Sequence, residues 1–255
     1  MKKIFIVIAV ILAIFLLLLS IISKKNVTAM NRSIDAALEE LNKNYKVTAL
    51  DPGEYKELKL FKVVKFDVEQ YDIESLGNLS VMRVNMGAMQ MATVVITPQN
   101  KNLPLLSADY MYILSNRKAY LEFYDVVKEK DDQYMKLLHD LDAVQANYKH
   151  LDDIAPSAAW YDDLLTVTAY KSGTTEADDD LINLLVDSLH VYLEHGKELP
   201  ALSEEERDEK LALTRKYTDG LIKNGGVSTD VFKKQLGNEV TKEFFDNVFF
   251  GTAVK

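Results

Sequence analysis

Short β-rich runs between residues 58 and about 127, helical periodicity from residue 130 onward, and twenty uncharged residues near the N-terminus predict one architecture. It is an α+β domain preceded by a single N-terminal transmembrane helix. Strands that come first and are separated only by short turns pair antiparallel, and the block of helices that follows lies over the sheet.

The first element is Met1-Lys2-Lys3, then Ile4 to Ser23 without a charge, then Lys24-Lys25. At 1.5 Å per residue these twenty residues match the roughly 30 Å hydrocarbon core of a bilayer. A cleavable signal has a shorter apolar region closed by a small-residue cleavage site. Residues 1–25 are therefore read as an uncleaved, single-pass anchor in the cell membrane. Two lysines flank each end, so charge does not fix the side on which the body lies.

Residues 26–57 read as a linker with a short amphipathic helix, marked by Ile34, Leu38 and Leu41 and closed by Asp51-Pro52-Gly53. The folded domain is assigned to 58–255. In LSVMRVNMG, Val81, Arg83 and Asn85 alternate with Met82, Val84 and Met86, the pattern of a strand with one wet face. MATVVIT is apolar almost throughout and reads as a central strand. SADYMYILSN and KAYLEFYDVV follow, with Asn116-Arg117-Lys118 as their hairpin turn. Tyr134, Leu137, Leu138, Leu141 and Tyr148 line one helix that ends before Pro156, and LLTVTAY returns a strand to the sheet. Leu181 to Leu193 mark a second helix. Ser203-Glu204-Glu205-Glu206 is a capping box, and Gly225-Gly226 ends the helix it opens. The tail adds one or two helices broken near Gly237.

Composition excludes several chemistries. The 255 residues contain no Cys, which removes disulfides, thiol nucleophiles, Cys-ligated zinc and iron–sulfur clusters, and the four His do not suggest a metal site. Net charge is −9, but residues 1–25 carry four Lys and no acid, leaving −13 on the remainder. An acidic body of this kind does not bind nucleic acid, and it is read as a monomer. Dinucleotide, P-loop, nucleophile-elbow and HExxH motifs are absent. His190 and His195 share a helix but point about 140° apart. Asp162-Asp163 and Asp178-Asp179-Asp180 read as solvated charge, the second at a helix N-terminus. Met82, Met86, Met89 and Met91 either fill a core or line a pocket for a large flat ligand. Asp109, next to an apolar run and opening the strand YMYIL, is either an exposed turn residue or a desolvated acid able to donate protons near neutral pH.

Three segments taken in order resemble a known family. PQNKNLPLLSADYMYILSNRKAYLEFYDV resembles the Pro-rich loop and Asp-bearing strand of the ferredoxin-dependent bilin reductases. APSAAWYDDLL resembles that family's turn around a Trp, and KYTDGLIKNGGVSTDVFKKQLGNEVTKEFFDNVFFG resembles its closing helices. The resemblance spans residues 58–251. It implies a three-layer α/β/α sandwich with a linear tetrapyrrole held between the sheet and the C-terminal helices. It also implies an oxidoreductase with no metal or flavin of its own, taking electrons singly from an external ferredoxin or similar donor and protons from carboxylates.

By the same resemblance Asp109 is the catalytic proton donor. Thr93 stands where many members have His or Asn, and Asn85 where the phycocyanobilin-forming type has Glu; both are expected to bind substrate by hydrogen bonds. Arg83, with Arg215 or Lys216, is expected to pair with propionates. The family's second Asp falls in Asn224-Gly225-Gly226 and is missing. A basic docking face for the electron donor is sought at Lys56, Lys59, Lys62 and Lys65 or at Lys223, Lys233 and Lys234. A non-catalytic tetrapyrrole-binding module or another extracytoplasmic interaction domain on the same scaffold is the alternative.

Overall fold

The computed structural model describes residues 2–60 and 64–253. The strands are β1 (Val47–Leu50), β2 (Glu57–Leu60), β3 (Val64–Ile73), β4 (Gly77–Asn85), β5 (Met89–Pro98), β6 (Leu105–Ile113), β7 (Asn116–Tyr124), β8 (Asp152–Asp153) and β9 (Leu165–Thr174). They form one antiparallel sheet in the order β1-β3-β4-β5-β6-β7-β9-β8, with β2 also paired to β3. The helices are α1 (Lys2–Asn44), α2 (Asp132–Ala146), α3 (Asp178–Glu198), α4 (Glu204–Asn224), α5 (Val227–Leu236) and α6 (Asn238–Phe244). The second half of α1 packs with α2 and α3 on one face of the sheet; α4, α5, α6 and the closing turn Phe245–Phe249 cover the other. This is the three-layer α/β/α sandwich.

Alternation along the strands decides which side chain meets which layer. Leu79, Val81, Val94, Ala108, Tyr110, Leu121 and Phe123 enter the α1–α3 core, while Met82, Val95, Leu105 and Tyr124 join the α4–α6 core. The expected capping box is present: Ser203 Oγ accepts from Glu206 N, and Glu206 Oε2 accepts from Ser203 N. Helix α4 stops where Gly225 takes φ +86°, a conformation that L side chains rarely adopt.

The structure corrects four expectations. Residues 26–57 are not a linker. Helix α1 continues unbroken from the apolar stretch to Asn44, and Asn26, Ala29, Met30, Ser33, Ile34, Ala37 and Leu41 are buried at helical spacing against α3, β5 and β6. Strand β1 then adds an edge to the sheet, so the domain begins before residue 58. The hairpin turn lies at Leu114-Ser115, with Leu114 at φ +54°, and Arg117 is buried within β7. Strand β4 is buried on both faces for most of its length, and only Arg83 and Asn85 near its end reach solvent. The side chains from Ile6 to Leu18 are all exposed, on a helix long and apolar enough to cross a bilayer.

Candidate functional site

A cavity of about 660 Å³ separates the sheet from α4, α5 and the aromatic closing turn. Its floor is a single row across four strand pairs: Met82 opposite Thr93, Thr93 opposite Asp109, Asp109 opposite Tyr120, and Tyr120 opposite Tyr170. Met91 and Met111, paired one step toward the hairpin turns, extend that floor. Phe232, Phe245, Phe249 and Phe250 form an apolar wall. Residues 155–162 close one side, where Trp160 donates from Nε1 to Gly225 O at 2.8 Å. The indole lies flush on Gly220, where a Cβ would meet the ring at 2.2 Å, so only glycine permits the contact. A cleft of this size, mostly apolar with a few polar groups on a rigid floor, has the form of a small-molecule site.

Two carboxyl groups share the floor. Thr93 Oγ1 donates to Asp109 Oδ1 at 2.5 Å. Burial pushes the Asp109 carboxyl up to about 6; the Thr93 bond pulls the other way, and the negative charge of Glu122 adds to the rise. Glu122 accepts from Tyr124 Oη at 2.5 Å and Tyr170 Oη at 2.7 Å. Burial and the Glu122 carboxylate hold the Tyr170 phenol well above its usual range, so it remains a donor at all ordinary pH. Asp109 is thus an acid that is partly protonated near neutrality, on a floor where Glu122 is held by the Tyr124 and Tyr170 hydroxyls. Among the described residues, no group of three His, Cys, Asp or Glu is placed to hold a metal ion.

Of the four site residues expected from the sequence, the structure brings two together. Asp109 and Thr93 meet on the floor. Arg83 points to the opposite face, where it pairs with Glu69 Oε1 at 2.5 Å. Asn85 is exposed at the end of β4 and organises the β4–β5 turn, accepting from Gly87 N at 3.0 Å and Gln90 Nε2 at 2.9 Å. Neither lines the cavity, because odd-numbered positions of β4 face away from Met82. Arg215 donates to Thr252 O at 3.1 Å, which holds the segment after the closing turn, and Lys216 is exposed elsewhere on α4. Of the four methionines, Met82 and Met91 line the cavity; Met86 and Met89 lie at the turn beyond it.

The sequence reading missed Glu122, Tyr120, Tyr170 and Met111. The signal for the first two was available in KAYLEFYDVV, where Tyr120, Glu122 and Tyr124 share one parity. Lys118 was also missed. It pairs in register with Met111 on the cavity side of β7, is half-buried, and has no ion-pair partner among the described residues. Asn224, Gly225 and Gly226 do line the cavity, without a carboxylate. His190 and His195 reach in different directions, to Glu40 on α1 and Asp140 on α2, both at 2.9 Å. Lys59 and Lys65 are neutralised by Glu57 and Asp67, and Lys62 lies outside the described residues. Lys223 remains exposed at the end of α4 beside the cavity rim, and Lys234 on α5.

No protein-family model and no curated protein matches the sequence. Among solved structures, the chain is similar to phytochromobilin synthase from tomato, determined in complex with biliverdin. The match has a TM-score of 0.67 at 13% identity, over 88% of this chain and 85% of that one. The two share a fold. At that identity the likeness fixes the architecture, and the chemistry of the cavity rests on the residues described above.

Proposed function

We propose that the chain binds an open-chain tetrapyrrole in the 660 Å³ cavity and reduces one of its double bonds, with Asp109 as proton donor. The observation that carries this reading is the Asp109 carboxyl, poised near pH 6 at the centre of a Met- and aromatic-lined floor. The shared fold with an enzyme solved around biliverdin supports the ligand class. Such a reduction consumes two electrons and two protons. An external iron–sulfur protein of the ferredoxin class supplies the electrons one at a time, since the cysteine-free chain ligates no such cluster itself. Asp109 delivers a proton to the reduced ligand and is recharged from water before the second delivery. Thr93 fixes the carboxyl by its hydrogen bond, and Lys118, in register beside the floor residue Met111, offers a cation to a ligand carboxylate. The apolar half of α1 anchors the body to a membrane.

One observation favours a second reading, a binding module without turnover: the stretch Asn224-Gly225-Gly226, where the resembled family carries its second Asp, lines the cavity without a carboxylate. An anaerobic titration of the full chain in nanodiscs with biliverdin, followed by a reduced ferredoxin system, separates the two. Reduction predicts a spectral shift on binding, then a second change on reduction that slows at least about 100-fold in Asp109→Asn. A shift without turnover leaves the binding module. No shift overturns both.

A further inference from the structure

The two hairpin turns nearest the cavity lie against α1 where its apolar stretch ends. Gln90 Nε2 donates to Ser23 Oγ at 3.2 Å, and Asn26 Nδ2 donates to Leu114 O at 3.0 Å. Ser23 is the last residue before Lys24-Lys25, and α1 has no break there, so the helix fixes the height of the turns relative to its apolar half. At that height the turns present large apolar side chains to solvent: Met86 is 36% exposed and Leu114 41%. Behind them the half-buried pair Met89–Ile113 stands in register, then Met91–Met111 on the cavity floor, then Thr93–Asp109. An apolar track therefore runs from the turn tips into the cavity. Of the three acids at this end of α3, Asp178 pairs with Arg117, Asp179 with Arg32, and Asp180 meets the His150 ring, while Lys24, Lys25 and Lys118 are left without ion-pair partners among the described residues.

We infer that the hairpin tips at Met86–Met89 and Leu114 rest in the interfacial layer of the bilayer that α1 spans, so that the cavity lip opens onto the lipid surface. Apolar tips at the depth of the acyl boundary, with lysines at the depth of the phosphates, match the layering of that interface. The cavity then receives a flat amphiphile that has partitioned into the membrane, rather than one drawn from bulk water. This rests on α1 as a membrane span and is independent of which ligand the cavity holds.

The absence of cysteine makes single labelled sites simple to prepare. Met86→Cys, Met89→Cys and Leu114→Cys, each carrying an environment-sensitive fluorophore, are compared with Glu74→Cys. Glu74 is exposed in the β3–β4 turn at the opposite end of the sheet. In phosphatidylcholine vesicles containing shallow nitroxide lipids, the first three labels are expected to be quenched at least twofold and the Glu74 label not at all. Adding Met86→Glu and Leu114→Glu to Met89→Cys should leave the chain bound to vesicles and return quenching to the Glu74 level. Equal, weak quenching at all four sites in a chain that floats with the vesicles overturns the docking and leaves the anchor intact. Shielding of the three labels without lipid quenching shows a second copy on this surface instead. A chain that does not float overturns the anchor and the docking together.

Discussion

The two faces of the sheet are built from alternate residues of the same strands, yet they are physically opposite. Tyr110, Ala119 and Leu121 point into the α1–α3 layer, where Tyr110 Oη donates to Leu181 O at 2.9 Å and Leu121 is fully buried. One residue away along the chain, Asp109, Tyr120 and Glu122 point into an open cavity. On the closed face a charge is tolerated because it is fully engaged: Arg117 pairs with Asp178 at 2.5 Å and lies 5.1 Å from the Tyr112 ring centroid. On the cavity face the Asp109 carboxyl is desolvated with only the Thr93 hydroxyl to offset the burial, and its pKa rises. The contrast teaches a division of labour. Packing on one face holds the strands rigid enough for the other face to keep a void and an uncomfortable acid.

The sharpest way to break this contrast is to cut matching side chains on the two faces. Arg117→Ala leaves Asp178 without its buried partner and is expected to cost about 3–5 kcal/mol of unfolding free energy. Leu121→Ala opens a hole in a closed core and should cost about 3 kcal/mol. Met111→Ala enlarges a cavity that already exists, so its expected cost is below about 1 kcal/mol, since few packed neighbours lose contact. Denaturant titration of the three full-length variants measures this. A Met111→Ala loss equal to that of Leu121→Ala would mean the cavity floor is as tightly supported as the core.

How much of this was legible beforehand follows the same division. The apolar alternation of β4 to β7 and the capping and glycine signals of α4 identified the sheet and its cover, because core burial and helix ends write themselves into residue type. Asp109 stood out for the same reason, as an acid beside an apolar run. The charges of Lys24-Lys25 close the apolar stretch and so mark the end of a span in the sequence; burial of Asn26, Ala29 and Met30 against distant strands is what carries helix α1 onward. The β6–β7 turn was displaced because Asn116 is the better turn residue, whereas the chain turns at Leu114 with positive φ. Arg83 and Asn85 were assigned to the site by resemblance alone. Parity within β4 separates them from Met82, but placing Met82 beside Thr93 requires the β4–β5 register, which local sequence does not specify.

A smaller effect tests the discomfort of Asp109 directly. Its folded pKa, about 6, lies above the ordinary carboxylate value of 3.8. Between those values the folded chain binds more protons than the unfolded one, so stability falls as pH rises from 4 to 6 and stays reduced above. Asp109→Asn removes that loss. At pH 7 the variant should be more stable than the parent by up to about 3 kcal/mol, with the gap closing toward pH 4. A gap that is constant from pH 4 to pH 7 would show that the carboxyl is not strained by its site.

The smallest effect distinguishes the faces by charge. If ligand carboxylates are met at the cavity lip, Lys118→Ala should weaken biliverdin binding about threefold at low salt, the scale of a partly exposed ion pair. That difference should shrink as salt is added, because the lip is open to screening ions. Arg83→Ala, on the closed side of the same sheet and tied to Glu69, should change affinity less than about twofold, the noise floor for a charge that the ligand never meets. Fluorescence or absorbance titration at two salt concentrations reads both. A larger loss from Arg83→Ala than from Lys118→Ala would place the ligand's charged groups on the wrong face of the sheet and, with them, the site itself.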